Sequence, residues 1–217
     1  MPEGPEVLIL NEAICRYYND CNASISLGKK LIVDYKYNEN HKTNIWSFGL
    51  NGKMAINENN LLYKPSEQNW IYGINEIYND GISDPIKVNV DWMTSNEKEL
   101  NRFKKKLEDK RIKLGPALIN QNNISGIGVA WGSEILHRAG LRPDLPANQQ
   151  DLSNLVTAMV EIREEIKTLY ETYLNNCTEI KEFIEKWFEN LYKIRNMRVY
   201  NIGTKINISG RNWWISD

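Results

Sequence analysis

Apolar and polar positions change period three times along the 217-residue chain. After Pro5, Val7, Leu10 and Ile14 recur at helical spacing with Leu8 and Ile9 between them, which predicts a helix to about Tyr18, broken by Asn19 to Asn22. From Ala23 to about Asp91 the pattern shortens to strands. Ile25–Tyr37, Ile45–Ile56, Leu61–Tyr63, Trp70–Ile74 and Ile86–Val90 are separated by clusters such as Asn38-Glu39-Asn40 and Asn79-Asp80-Gly81. Helical patterning returns over Lys113–Asn120, Ala130–Ala139, Leu152–Tyr173 and Glu179–Lys193. Alternation resumes over Val199–Ile206 and Gly210–Trp214, as a two-stranded hairpin requires. The fold class expected is α+β. It comprises an N-terminal helix with a β-sandwich domain over residues 1–100, a basic interdomain linker over 101–112, and a helical domain ending in a hairpin over 113–217.

Composition adds mainly exclusions. Charged residues make up 25% and hydrophobic residues 41%, ordinary values for a soluble globular chain. No apolar run approaches the roughly 20 residues needed to span a bilayer, and no signal-peptide pattern precedes Glu3. An intracellular protein without a membrane anchor is expected. Cys15, Cys21 and Cys177 show neither CxxC pairing nor a histidine at ligand spacing, so no metal and no cofactor are expected.

The net charge of −1 argues against a protein that coats nucleic acid non-specifically, yet the charge is uneven. Arg102, Lys104, Lys105, Lys106, Lys110, Arg111 and Lys113 are opposed within their segment by Glu108 and Asp109, and the tail adds Arg195, Arg198, Lys205 and Arg211. Acidic residues gather around 161–189. The two explanations are a surface with one basic face and ordinary solvated helix faces.

The candidate chemistry lies in Met1-Pro2-Glu3-Gly4-Pro5-Glu6. Removal of Met1 is expected and would leave Pro2 with a free secondary amine, a nucleophile toward an aldehyde-like carbon that yields an iminium electron sink. Glu3 beside it is a carboxyl able to give and take protons. The alternative is that Pro2 and Pro5 merely start a helix, with Glu6 a first-turn carboxylate favoured by the helix dipole.

Several segments, in order, carry a resemblance to the formamidopyrimidine/endonuclease VIII family of DNA glycosylases. They are the first six residues, Gly28-Lys29-Lys30-Leu31, Ser47-Phe48-Gly49-Leu50-Asn51-Gly52, Gln121 through Pro143, and Gly203 through Trp214. The resemblance implies that Pro2 is the nucleophile, Glu3 the acid/base and Glu6 a supporting carboxylate. It places Lys29 on the active-site lysine, Leu50 at the tip that fills the gap left by a flipped nucleotide, and Arg211 on the DNA-contacting arginine of the C-terminal finger. Gly126 and Gly128 fall in the helix–two-turn–helix loop, where glycines let backbone approach phosphate, and Glu134 follows at the matching spacing.

This chain also departs from the family pattern. Ser47 replaces the histidine of the family turn, Val129 an asparagine that donates to phosphate, and the four finger cysteines are absent, as in zincless-finger members. The function implied is a bifunctional glycosylase and abasic-site lyase, expected as a monomer, acting on DNA with oxidised bases or abasic sites. The substrates expected are oxidised pyrimidines and ring-opened or hydantoin purines over 8-oxoguanine, with single-stranded or bubble DNA processed at least as well as duplex. The competing classes are a damaged-DNA-binding protein with little or no catalysis, and an interaction domain with no DNA affinity.

Overall fold

Pro5 and Glu6 open the first helix, α1 (Gly4–Tyr17), which buries Ile9, Leu10, Ala13 and Ile14 along one stripe. The computed structural model describes residues 3–17, 21–26, 30–37, 40–47, 52–57, 60–65, 72–73, 90–120 and 122–216, with backbone alone for the strands between 21 and 73. The chain folds into two compact units, neither continuous in sequence: residues 1–87 with 168–195, and residues 88–167 with 196–217.

Among the described residues the first unit holds two three-stranded antiparallel sheets. One is ordered β1 (Cys21–Ser26), β2 (Lys30–Tyr37), β3 (Asn40–Ser47); the other β4 (Gly52–Asn57), β5 (Asn60–Pro65), β6 (Tyr72–Gly73). The described parts of the strands expected over 25–37 and 45–56 belong to β1 and β2, and to β3 and β4, respectively. Ser26 pairs with Lys30 and Tyr37 with Asn40, so β1 to β3 form consecutive hairpins. Of the strand expected over 86–90, Val90 lies in β7 (Val90–Asp91), which pairs in parallel with β8 (Ile124–Ser125) in the second unit, and residues 86–89 lie outside the described residues.

Residues 101–112, expected as a basic linker, fall largely within α2 (Glu97–Glu108). The reason is local. Asn96 and Glu99 form a reciprocal capping box, and Leu100, Phe103 and Leu107 are buried at helical spacing. Basic side chains occupy the outer face, with Arg102, Lys105 and Lys106 exposed.

The remaining helices are α3 (Leu114–Leu118), α4 (Val129–Ala139), α5 (Leu155–Asn175), α6 (Ile180–Glu185) and α7 (Trp187–Ile194), with a 3-10 turn at Ala147–Gln149. The helix expected over 179–193 is two helices, parted at Lys186 (φ −112°, ψ 20°). Along α5, Leu155, Met159, Ile162, Ile166, Tyr170 and Leu174 form one buried stripe; residues to Lys167 group with the second unit and those from Thr168 with the first. In the first unit α1 packs against α6 and α7. In the second, Trp92 and Trp131 meet at 6.0 Å, and the Trp92 indole donates to the Met159 carbonyl at 3.0 Å.

The C-terminal hairpin, β9 (Thr204–Ile208) and β10 (Arg211–Ile215), turns through Ser209 and Gly210, both at positive φ (53° and 79°). A two-residue loop with both residues left-handed matches the twist of antiparallel strands. Trp213 fastens the hairpin to α3 and α4. A Cβ on Gly115 would lie 2.9 Å from its ring and one on Gly132 3.1 Å, so both glycines are places where the indole needs the room. The Trp214 N–H donates to Ser133 Oγ at 3.3 Å, and the Trp214 ring lies 4.4 Å from Tyr200.

Candidate active-site and nucleic-acid-binding elements

The described candidate residues are divided between the two units. In the first unit Glu3 and Glu6 are brought together at the start of α1, 5% and 0% exposed. The Glu3 N–H donates to Glu6 Oε2 at 2.7 Å. Glu6 Oε1 accepts from Arg195 Nη2 at 2.5 Å, an ion pair whose side chains are both buried. Tyr170 lies in the same cluster. Burial pushes its phenol well above the ordinary tyrosine value, the carboxylates of Glu6 and Glu3 add to that, and Arg195 opposes it. The phenol is therefore neutral over the physiological range.

Arg195 corrects the charge count made from sequence. It is an interior partner of Glu6, not a member of a basic DNA-facing tail, because a fully buried carboxylate needs a compensating charge. Pairing across 189 positions leaves no local signal in sequence.

In the second unit Ile124 to Gly128 lead into α4. Gly126 has φ +85°, a left-handed conformation open to glycine at little cost. Gly128 is the N-cap of α4 and Val129 its first residue. Glu134, 5% exposed, faces the chain segment before the hairpin. Its Oε2 accepts the Arg198 N–H at 2.9 Å, and its Oε1 accepts those of Val199 and Tyr200 at 2.8 and 2.7 Å. One carboxylate thus arranges three successive peptides and aims the chain into β9. Arg211 is exposed as the first residue of β10, directly after the turn.

Pro2, Lys29 and Leu50 lie outside the described residues. Ser26 of β1 pairs with Lys30 of β2. Among the described residues no three His, Cys, Asp or Glu side chains are grouped to hold a metal ion, and no helix is long and apolar enough to cross a membrane.

Asp91 was not singled out from sequence. Burial raises its carboxyl above the usual aspartate value, against the N–H donors of Met93 and Thr94 and the charge of Arg163. Its Oδ1 accepts from Met93 N at 2.8 Å, and Arg163 donates to the carbonyls of Trp92 and Ser95 at 3.3 and 2.7 Å. This is a joint that ties β7 to α5 within the second unit.

Residues 91–175 match the model of the formamidopyrimidine-DNA glycosylase H2TH domain. Over 95 residues the chain is 32% identical to a formamidopyrimidine-DNA glycosylase of Bdellovibrio bacteriovorus, a match covering 44% of this chain and only 34% of that relative. The fold is similar over nearly the whole chain to solved structures of low identity. The MutM (Fpg) protein of Thermus thermophilus matches with a TM-score of 0.64 at 13% identity, covering 99% of this chain and 97% of that one. Lactococcus lactis Fpg (the T221P mutant) in complex with Fapy-dG-containing DNA gives 0.62 at 14% identity with 99% and 98% coverage, and the Lactococcus lactis Fpg complex with abasic-site DNA 0.61 at 15% with 99% and 97%. Residues 91–175 thus resemble the H2TH domain of formamidopyrimidine-DNA glycosylases, and the chain as a whole shares the fold of the Fpg (MutM) structures.

Proposed function

We propose that the protein is a DNA glycosylase with abasic-site lyase activity, acting in base excision repair through its amino-terminal proline. The observation that carries this reading is the treatment of the chain's amino end. Glu3, covalently next to Pro2, is buried at the head of a helix, and its peptide is held by a carboxylate that is itself ion-paired. A fraying terminus has no use for a buried ion pair; a catalytic amine has, because its reach to substrate must be fixed within a fraction of an ångström. The H2TH match and the DNA-bound structures of similar fold support DNA as the partner.

In the reaction proposed, the target nucleotide is flipped from the stack and the Pro2 nitrogen attacks C1′ of its sugar. Glu3 donates the proton that opens the ring, and the base leaves. The iminium then acidifies the C2′ proton, whose removal expels the 3′ phosphate (β-elimination); a second elimination expels the 5′ phosphate. Lys29 and Arg211 steady phosphates, Gly126 and Gly128 let backbone approach one, and Leu50 fills the vacated space. The hairpin is read as a finger that holds its shape without zinc, through its left-handed turn and the buried Trp213.

The preferred lesions are proposed to be oxidised pyrimidines and ring-opened or hydantoin purines, with single-stranded DNA processed at least as well as duplex. Val129 cannot donate from its side chain to phosphate, so the cost of unstacking a duplex base is less fully offset. The same residue favours a second reading, a damaged-DNA-binding protein with weak catalysis. Borohydride trapping on oligonucleotides carrying one lesion or abasic site separates the two. A covalent adduct that requires a free Pro2 amine is expected; binding without an adduct would favour the second reading.

A further inference from the structure

Arg195 directly follows α7, where the backbone turns extended (φ −60°, ψ 121°). Its guanidinium is 6% exposed and holds one oxygen of Glu6, while the other oxygen holds the Glu3 N–H. A single carboxylate thus connects the end of the last helix to the peptide next to the proposed nucleophile. The groups that meet here are Glu3 and Glu6 at the head of α1, Tyr170 of α5 and Arg195 after α7. Among the described residues of this cluster Tyr170 is uncharged and Arg195 carries positive charge.

We propose that Arg195 is a positioning residue for the amino-terminal nucleophile, acting through Glu6 on the Glu3 peptide. The inference rests on the reading of Pro2 given above. A carboxylate accepts a peptide N–H more strongly than a neutral carboxyl does. A buried carboxylate deprived of its cation draws in water to solvate its charge, which loosens its hold on the Glu3 peptide and so on the adjoining amine.

A second effect follows from charge. Carboxylates near an amine favour the ammonium, which is not a nucleophile. Arg195 cancels the contribution of Glu6, so that this carboxylate does not add a second uncompensated anion near the amine.

The test is the single-turnover rate of borohydride trapping on a pre-made abasic site, followed against pH. It compares the wild type with Arg195→Met, Arg195→Lys and the double variant Glu6→Gln/Arg195→Met. Arg195→Met is expected to trap about 10²-fold more slowly, the scale set by a misplacement of about 1 Å, with its pH midpoint moved upward and its DNA affinity unchanged. Arg195→Lys restores the charge without the planar fork, so it recovers the midpoint and part of the rate.

A folded Arg195→Met that matches the wild type in rate and midpoint overturns the proposal. So does a rate lowered equally at every pH with no recovery by lysine, since that pattern belongs to a purely structural residue. Should Arg195→Met fail to fold by tryptophan fluorescence, the double variant decides. Removing both members of a buried pair is tolerated better than removing one; slow trapping by the folded double variant is expected, and wild-type trapping overturns the proposal. Absence of any adduct with the wild-type protein is a different result, which removes the lyase reading and this inference together.

Discussion

Glu6 and Glu134 are both buried carboxylates, and the two units satisfy them in opposite ways. Glu6 is met by a guanidinium and one peptide N–H, Glu134 by three successive peptide N–H groups. The first arrangement depends on a long side chain finding its partner across the fold. The second is local to α4 and the segment it organises, and no other ionisable side chain needs to be in place for those three bonds to form. A charge-paired carboxylate is suited to a place where charge must be controlled for chemistry, and a backbone-capped one to a place where only shape must be kept. On the proposed function, the first unit contains the reacting end and the second presents the hairpin.

The largest effect that tests this contrast is on the amine. A blocked or extended amino terminus is expected to lower strand cleavage by roughly 10³-fold or more while leaving DNA binding intact. Cleavage at the normal rate would remove the first unit's claim to the chemistry.

Glu134→Ala comes next. It strands three N–H donors and is expected to destabilise the protein by about 3 kcal/mol or more, read as a lowered melting temperature. A loss under about 1 kcal/mol would mean that water replaces the carboxylate and that the second unit does not depend on it.

Glu3→Gln sharpens the roles within the first unit. Base excision should fall on the order of 10²-fold or more, while cleavage of a pre-made abasic site is affected less. Equal loss of both steps would count against Glu3 as the proton donor to the sugar.

A smaller effect concerns a surface pair of the second unit. Arg138 donates to both oxygens of Glu165, at 2.6 and 2.8 Å, and this hydrogen bonding is the chief cause that holds the Glu165 carboxyl below its ordinary value of 4.5. A depressed carboxylate stabilises the fold above the unfolded value, and that contribution is lost as pH falls below 4.5 through the folded value. Because Glu165 is 58% exposed, Arg138→Ala should cost less than about 1 kcal/mol at neutral pH and should flatten the stability profile below pH 4.5. Melting curves at several acidic pH values check both. The smallest effect expected is none: chelators should change neither the melt of the hairpin unit nor DNA cleavage, and one zinc per chain by elemental analysis would overturn the zinc-free account of the finger.

Much of the fold was legible because it is written in short-range pattern. The stripe of α1, the alternation of β9 and β10, and the stripe of α5 each lie within a few turns or a few strand residues. Where local pattern carried two messages, the more conspicuous one misled. In 101–112 the run of lysines and arginines suggested a connector, although Asn96, Glu99, Leu100, Phe103 and Leu107 already spelled a capped amphipathic helix. Helix breaks were less visible, since Lys186 sits in a segment of continuous helical spacing.

The sequence by itself determined the α+β order of elements, the nearness of Glu3 and Glu6 at the start of the first helix, the glycine-permitted loop before α4, and Arg211 at the head of the last strand. Only the tertiary structure decided that Arg195 belongs to Glu6, that Glu134 gathers the peptides of residues 198–200, and that Trp213 occupies the space left by Gly115 and Gly132. Propensity and periodicity act between residues a few positions apart, whereas the demand of a buried charge or a buried indole is met by whichever group the folded chain brings near, at any distance along it.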